Sequence, residues 1–198
     1  FHFEMAGDIL DDETIELLNS APPGAMQAEI GVQSFHGETL EAVNRKTDLK
    51  KLTHNISQLI GAGNLHVHID LIAGLPLEDM STFKKSFDKA FSLHPHMLQL
   101  GFLKLLHGSP MREDAVQFPC HFSKEPPYEV LDTPWMSAEE LAQLSRTEDA
   151  LDRLYNSGRF RHTLGYLLGT TGMTTFCFFQ SFGDFAADKG TKKISLDG

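Results

Sequence analysis

Cysteine is scarce in this chain: Cys120 and Cys177 are the only two among 198 residues. Two thiols so far apart build neither a disulfide framework nor a metal-ligand pair, and the expected compartment is the reducing cytoplasm. Cations are also in short supply, 17 Lys and Arg against 27 Asp and Glu, for a net charge of −10. Surfaces that bind nucleic acid or anionic membranes need positive charge, so neither is an expected partner. Long apolar runs are missing as well. The nearest approach, 164–185, is broken by glycines, threonines, Gln180 and Asp184, and falls short of the ~20 residues that span a bilayer. Phe1-His2-Phe3-Glu4 has neither the basic start nor the apolar stretch of a secretory signal. What the chain has in quantity is scattered apolar residues, 41% in all with 15 Phe, which is the composition of a globular domain.

The order of elements carries more information. Phe1 to Met5 reads as a strand, and Asp11 or Asp12 can cap a helix over 13–20 that stops before Pro22-Pro23-Gly24. A second strand follows over 26–33, then helices over 38–45 and 48–61, with Asp48 as N-cap and Gly61 and Gly63 as stops. A third strand over 65–72 is broken by Gly74-Leu75-Pro76, helix 79–93 ends before Pro95, and 97–103 is a fourth strand. This is a parallel β-α-β rhythm of about four βα units, half of an eightfold barrel of typically ~250 residues. The fold class is therefore α/β, a partial TIM-type barrel over 1–108, with 109–198 a loop-rich connection and C-terminal helices. A chain opening on a strand without Met is expected to be a fragment whose missing units lie upstream. Past the five prolines of 109–135, Ser137 and Glu140 form a capping box for a helix to about 156. Helices near 160–169 and 174–188 follow, with a frayed Lys189-Gly190-Thr191-Lys192-Lys193 tail.

Ligands of parallel α/β folds collect at the carboxyl ends of strands, and each strand offers a polar or distinctive residue there. Glu4 lies on the first strand, Gln33 and Ser34 end the second, Asp70 and Ile72 the third, and Leu103 and Lys104 the fourth. Buried polar groups need partners, so Glu4, Gln33 and Asp70 at one end point either to a polar ligand or to an internal hydrogen-bond network. His66, His68 and Asp70 alternate and share one face of their strand. Imidazoles two apart can hold a metal, which keeps a metal-dependent hydrolase built on His66 and His68 as an alternative, beside a non-catalytic interaction module. Cys120 has no assignable base, and Gly61-Ala62-Gly63 precedes a strand where a phosphate loop would open a helix. Phe176, Phe178, Phe179, Phe182 and Phe185 are expected to pack the last helix onto the domain.

Taken in order, Glu4, then Gly31-Val32-Gln33-Ser34, then Asn44-Arg45, then Asp70-Leu71-Ile72-Ala73-Gly74-Leu75-Pro76 resemble the radical S-adenosylmethionine (SAM) superfamily, in particular the branch with oxygen-independent coproporphyrinogen oxidase. Pro126-Pro127-Tyr128-Glu129-Val130-Leu131 and Tyr155-Asn156-Ser157-Gly158 are similar to the C-terminal region of members associated with a cobalamin-binding-type domain. The resemblance implies that the four strands match strands three to six of a six-stranded partial barrel. It implies that Glu4 and Arg45 hold the ammonium and carboxylate of SAM, that Gln33 and Asp70 bond the ribose, and that Ile72 packs on adenine near Leu103, with Ser34 in the same binding set. The family's Cys-x3-Cys-x2-Cys loop for a [4Fe-4S] cluster has no counterpart here, and Cys120 and Cys177 cannot replace it. The implied parent is an iron–sulfur oxidoreductase using SAM and a [4Fe-4S] cluster, with cobalamin left open. This chain alone is expected to be inactive, to hold no metal or tightly bound cofactor, and to act on a small molecule of unknown identity only as part of the parent. A bare first-strand edge carrying Phe1 and Phe3 is expected either to support homo-oligomers or to leave the open sheet face for the C-terminal helices to cover.

Overall fold

The computed structural model describes residues 1–114 and 116–190; the expected fraying beyond Gly190 lies outside them. Strands β1 (His2–Met5), β2 (Gln27–Gln33), β3 (His66–Ala73) and β4 (Met97–Phe102) form one parallel sheet in the order β1-β2-β3-β4. Between them run α1 (Asp12–Asn19), α2 (Gly37–Ala42), α3 (Leu49–Ala62) and α4 (Met80–Ser92). Four sequential parallel strands joined by helices make the α/β partial-barrel class that the rhythm predicts.

Alternation decides the two faces of the sheet. Ala28, Ile30 and Val32 of β2, Val67, Ile69, Leu71 and Ala73 of β3, and Leu98 of β4 are fully buried, in one core with Leu52, Ile56 and Leu59 of α3 and Phe83 and Phe87 of α4. Their neighbours on the other face are polar: His2, Glu4, Gln27, Glu29, His66, His68, Asp70 and Gln99. The helices start where the caps require. Asp11 accepts from Thr14 N at 2.9 Å, Asp48 from Lys50 N and Lys51 N at 3.0 Å, and Asp79 from Thr82 N at 2.8 Å. Gly63, at φ 72°, ends α3 in the left-handed conformation that glycine adopts without Cβ strain.

After β4 the chain makes a short helix α5 (Pro110–Glu113) and a two-stranded antiparallel ribbon, β5 (His121–Phe122) with β6 (Val130–Asp132). The loop-rich connection expected over 109–135 thus carries these short elements. Prolines exclude long strands, yet Val130 N still bonds Leu103 O and Leu105 N bonds Tyr128 O, both at 2.9 Å, so this segment docks past the end of β4. Helix α6 (Ala138–Leu151) opens with the expected capping box and passes into a π-helical turn, Asp152–Asn156, before α7 (Arg161–Thr170) and α8 (Thr175–Asp188).

The C-terminal helices pack away from the polar sheet face, so of the two expected alternatives coverage by these helices is not the one realised. The α6 stripe of Leu141, Leu144 and Leu151 is buried, and α8 docks on α4. Phe176 meets Phe87 edge to face at 5.4 Å, Phe179 lies 5.7 Å from Phe91, and Asp88 accepts from Phe176 N at 2.7 Å. Each buried ring contributes roughly 1.5–3 kcal/mol, and an apolar helix face finds no such return over a row of carboxylates and imidazoles. Phe176 and Phe179 therefore act as the sequence predicts, whereas Phe185 remains 60% exposed. Phe1, just before β1, and Phe3 on it are exposed at 90% and 45%.

Candidate functional site

The polar face ends in a cavity of about 630 Å³ at the carboxyl ends of the strands. Glu4, Gln33, Arg45, Asp70, Ile72, Leu103 and Lys104, all singled out from the sequence, line it together. Ser34 does not. Its side chain is fully buried on the opposite side of the strand end and donates to Glu78 Oε1 at 2.6 Å, because strand alternation sends it away from Gln33. Gly31 of the second strand end and Gly101 of the fourth line it too, and so do Glu29 and Gln99, which the sequence reading missed. The signal for Glu29 and Gln99 was present in the alternation of β2 and β4, where each falls in step with a polar or small neighbour two residues on.

Local backbone geometry aims the polar groups. The β2–β3 register shifts between Gly31 and Gln33, and Gln33 adopts a left-handed φ of 69°, a conformation costing a non-glycine residue roughly 1–2 kcal/mol. The bulge leaves Gly31 directly beneath the Gln33 amide. A Cβ there would collide with Gln33 Nε2 and come within 3.6 Å of Arg45 Nη2. Arg45 Nη2 donates to Gly31 O at 2.5 Å, so one backbone carbonyl fixes the guanidinium at the cavity wall. On the apolar side Ile72 and Leu103 stand at the ends of β3 and β4.

The electrostatics are divided. Asp70 is pushed up to about 7, first by burial, then by the charge and hydrogen bonding of Glu29, then by the charge of Glu4. Facing these three carboxyls, Arg45 and Lys104 supply positive charge. Asp70 Oδ1 and Gln33 Oε1 are buried without a hydrogen-bond partner among the described residues. Two orphaned acceptors in one cavity call for donors from outside the chain. The site can therefore take a ligand with a cationic group, an anionic group, hydroxyl donors and a flat apolar portion.

The histidines occupy the lower part of the same face and are engaged with one another. His66 Nδ1 lies 2.8 Å from His68 Nε2, Gln27 Nε2 lies 3.2 Å from His68 Nδ1, and His96 Nδ1 accepts from Val67 N at 3.1 Å. His2 Nε2 pairs with Glu29 Oε2 at 2.7 Å. Burial lowers the pKa of His66, His68 and His96 alike, which favours neutral, hydrogen-bonded rings. Among the described residues no group of three His, Cys, Asp or Glu is arranged to hold a metal ion. Cys120, raised by burial, lies in the loop before β5, and Cys177 lies on α8; neither lines the cavity. No helix among the described residues is long and apolar enough to cross a membrane.

Comparison with known proteins places the C-terminal part first. Residues 116–198 match a family described as "Protein of unknown function (DUF4080)". No curated protein matches the chain. Among solved structures, the chain is similar to coproporphyrinogen III oxidase (HemN) from Escherichia coli, described as a radical SAM enzyme, at 23% identity and TM-score 0.47 over 53% of this chain and 24% of that one. It is similar to the archaeal Methanocaldococcus infernus Elp3 at 24% identity and TM-score 0.49, over 57% of this chain and 26% of that one. It is also similar to the radical S-adenosylmethionine methyltransferase TsrM from Kitasatospora setae, solved with tryptophan and a SAM analogue, at 16% identity and TM-score 0.46, over 58% and 23%. The chain spans about a quarter of the length of each of these structures.

Proposed function

We propose that this chain carries the SAM-binding strand ends of a radical SAM iron–sulfur oxidoreductase, with 1–108 as the partial barrel and 109–198 as an appended region. The observation that carries the reading is the convergence of Glu4, Gln33, Arg45, Asp70 and Ile72, drawn from separate stretches of chain, on one cavity with two orphaned acceptors. SAM matches that inventory group by group. Its ammonium and sulfonium suit Glu4, Glu29 and Asp70, its carboxylate suits Arg45 and Lys104, and its ribose hydroxyls supply donors for Gln33 Oε1 and Asp70 Oδ1. Its adenine suits Ile72 and Leu103. The motifs at Pro126–Leu131 and Tyr155–Gly158 support the cobalamin-associated branch as the finer assignment.

The chain's own residues bind and orient. Arg45, fixed on Gly31 O, sets where a carboxylate sits, and the carboxyl row sets where positive charge sits. SAM held here would supply radical chemistry only beside a reduced cluster from outside these residues; this chain's part is placement. The residues here do not fit the [4Fe-4S] cluster itself, since Cys120 and Cys177 lie apart from the cavity, so no step through a cluster belongs to this chain alone.

The test is an amide NMR titration of the chain with S-adenosylhomocysteine and with SAM. Perturbations should concentrate on Gly31, Gln33, Ile72 and Gly101 and weaken in R45A. Shifts confined to other surfaces, or none at millimolar ligand, would overturn the reading.

A further inference from the structure

Glu78 is a fully buried carboxyl outside the cavity, and the site described so far gives it no task. It follows Leu77, which takes a left-handed φ of 61°, so the loop after β3 turns the side chain inward just before Asp79 caps α4. Its Oε1 accepts from two hydroxyls, Ser34 Oγ at 2.6 Å and Ser86 Oγ at 2.9 Å. Each serine has one proton, and both protons are spent on Glu78. Each serine oxygen is then left as an acceptor for one backbone donor: Ser86 Oγ takes Phe35 N at 3.1 Å, and Ser34 Oγ takes His36 N at 2.9 Å. The chain of bonds thus runs in one direction from two successive amides of the β2–α2 turn, through two hydroxyls, to a single carboxyl oxygen. That turn begins at Gln33, the strained residue whose amide lines the cavity. The same carboxyl sits on the loop leaving β3, which carries Ile72, and is tied to Ser86 on α4.

We infer that Glu78 is a positioning residue for the cavity, holding the turn of Ser34, Phe35 and His36 so that Gln33 keeps its left-handed backbone and presents its side chain to the ligand. Ser34 belongs to this anchor and not to the ligand-contacting set. The inference rests on the proposed SAM reading for the identity of the ligand, but not for the anchoring itself. Glutamine keeps an oxygen that can accept from both serines, whereas leucine removes the acceptor at similar volume.

The experiment compares E78Q, E78L, S34A and S86A in the full chain by amide hydrogen exchange and by S-adenosylhomocysteine titration. E78Q should keep the Phe35 and His36 amides protected and bind within about threefold of the parent, while E78L should expose both amides and weaken binding about tenfold, the scale of a lost hydrogen bond to a charged group. Should E78L fail to fold, the serine variants decide, because S86A should deprotect Phe35 selectively and S34A His36. Protected amides with unchanged affinity in E78L, or unselective effects in the serine variants, would overturn the inference. Absence of binding by the parent chain would sink the SAM reading, and the exchange pattern would still decide the anchoring.

Discussion

The side-chain amide of Asn156 takes both backbone groups of Leu98: Oδ1 accepts from Leu98 N at 3.1 Å and Nδ2 donates to Leu98 O at 2.9 Å. Leu98 lies on β4, whose other edge pairs with β3. A single side chain thereby imitates a neighbouring strand, and the π-helical turn, together with the bond from the Tyr155 hydroxyl to Pro95 O, brings it there. At Leu98 the outer edge of β4 is thus capped by the C-terminal region. Replacing Asn156 with Ala should leave two strand groups unsatisfied and cost about 2 kcal/mol. Urea unfolding would measure it, and N156D should be no better because it cannot donate to Leu98 O.

Gly183 sits where α8 crosses α6. A Cβ at this position would collide with the backbone carbonyl of Arg146, and backbone cannot move aside as a side chain can. Arg146 Nε also donates to Asp184 Oδ1 at 2.7 Å across the same crossing. G183A should destabilise by roughly 1–3 kcal/mol, the range for overpacking. R146A should cost less, since this ion pair is more than a third exposed on both sides. Thermal unfolding of the two variants in parallel checks the order.

Gly31 offers a different outcome. Here the added Cβ would collide with the far end of the Gln33 side chain, which can swing away, and only touch Arg45. G31A should therefore keep most of its stability and lose ligand affinity, because the Gln33 amide is displaced from the cavity wall. Loss of stability with unchanged affinity in the NMR titration would contradict this.

Glu78 gives a pH dependence of definite sign. Burial raises it from an ordinary 4.5 to about 7, against the opposing hydrogen bonds of Ser34 and Ser86. The folded state keeps a proton that the unfolded chain has released, so its contribution is full below 4.5 and is lost as pH rises towards about 7. Asp70, also raised to about 7, acts in the same direction, while the lowered His66, His68 and His96 act the other way as pH rises to 6.5, so the parent chain alone shows only a balance. The difference between the parent and E78Q isolates Glu78. It should move against the parent by on the order of 3 kcal/mol between pH 4.5 and 8, measured by urea unfolding.

Local signals carried much of the architecture. Asp11, Asp48, Asp79 and the Ser137–Glu140 box start helices within a residue or two of their expected positions, because a cap bonds backbone only three residues away. Two-residue alternation likewise placed His66, His68 and Asp70 on one face of β3. Six residues singled out on or at the ends of strands share one cavity with Arg45, since parallel strands in sequential order bring their carboxyl ends together.

Tertiary structure decided the rest. The β5–β6 ribbon depends on contacts with residues 103–105, distant in sequence, and no local pattern announces them. Alternation already sends Ser34 to the side opposite Gln33, but that it meets the buried Glu78 there is decided by a partner 44 positions away. Glu29 joined the site because Asp70 lies across the sheet from its strand. The pKa of Asp70 follows from burial and from two carboxyls on other strands. Sequence by itself determined which elements form and which face of each is polar, for those are settled by backbone bonding and periodicity over a few residues. Which polar groups meet, and which stay unpaired, depends on long-range packing that no local segment contains.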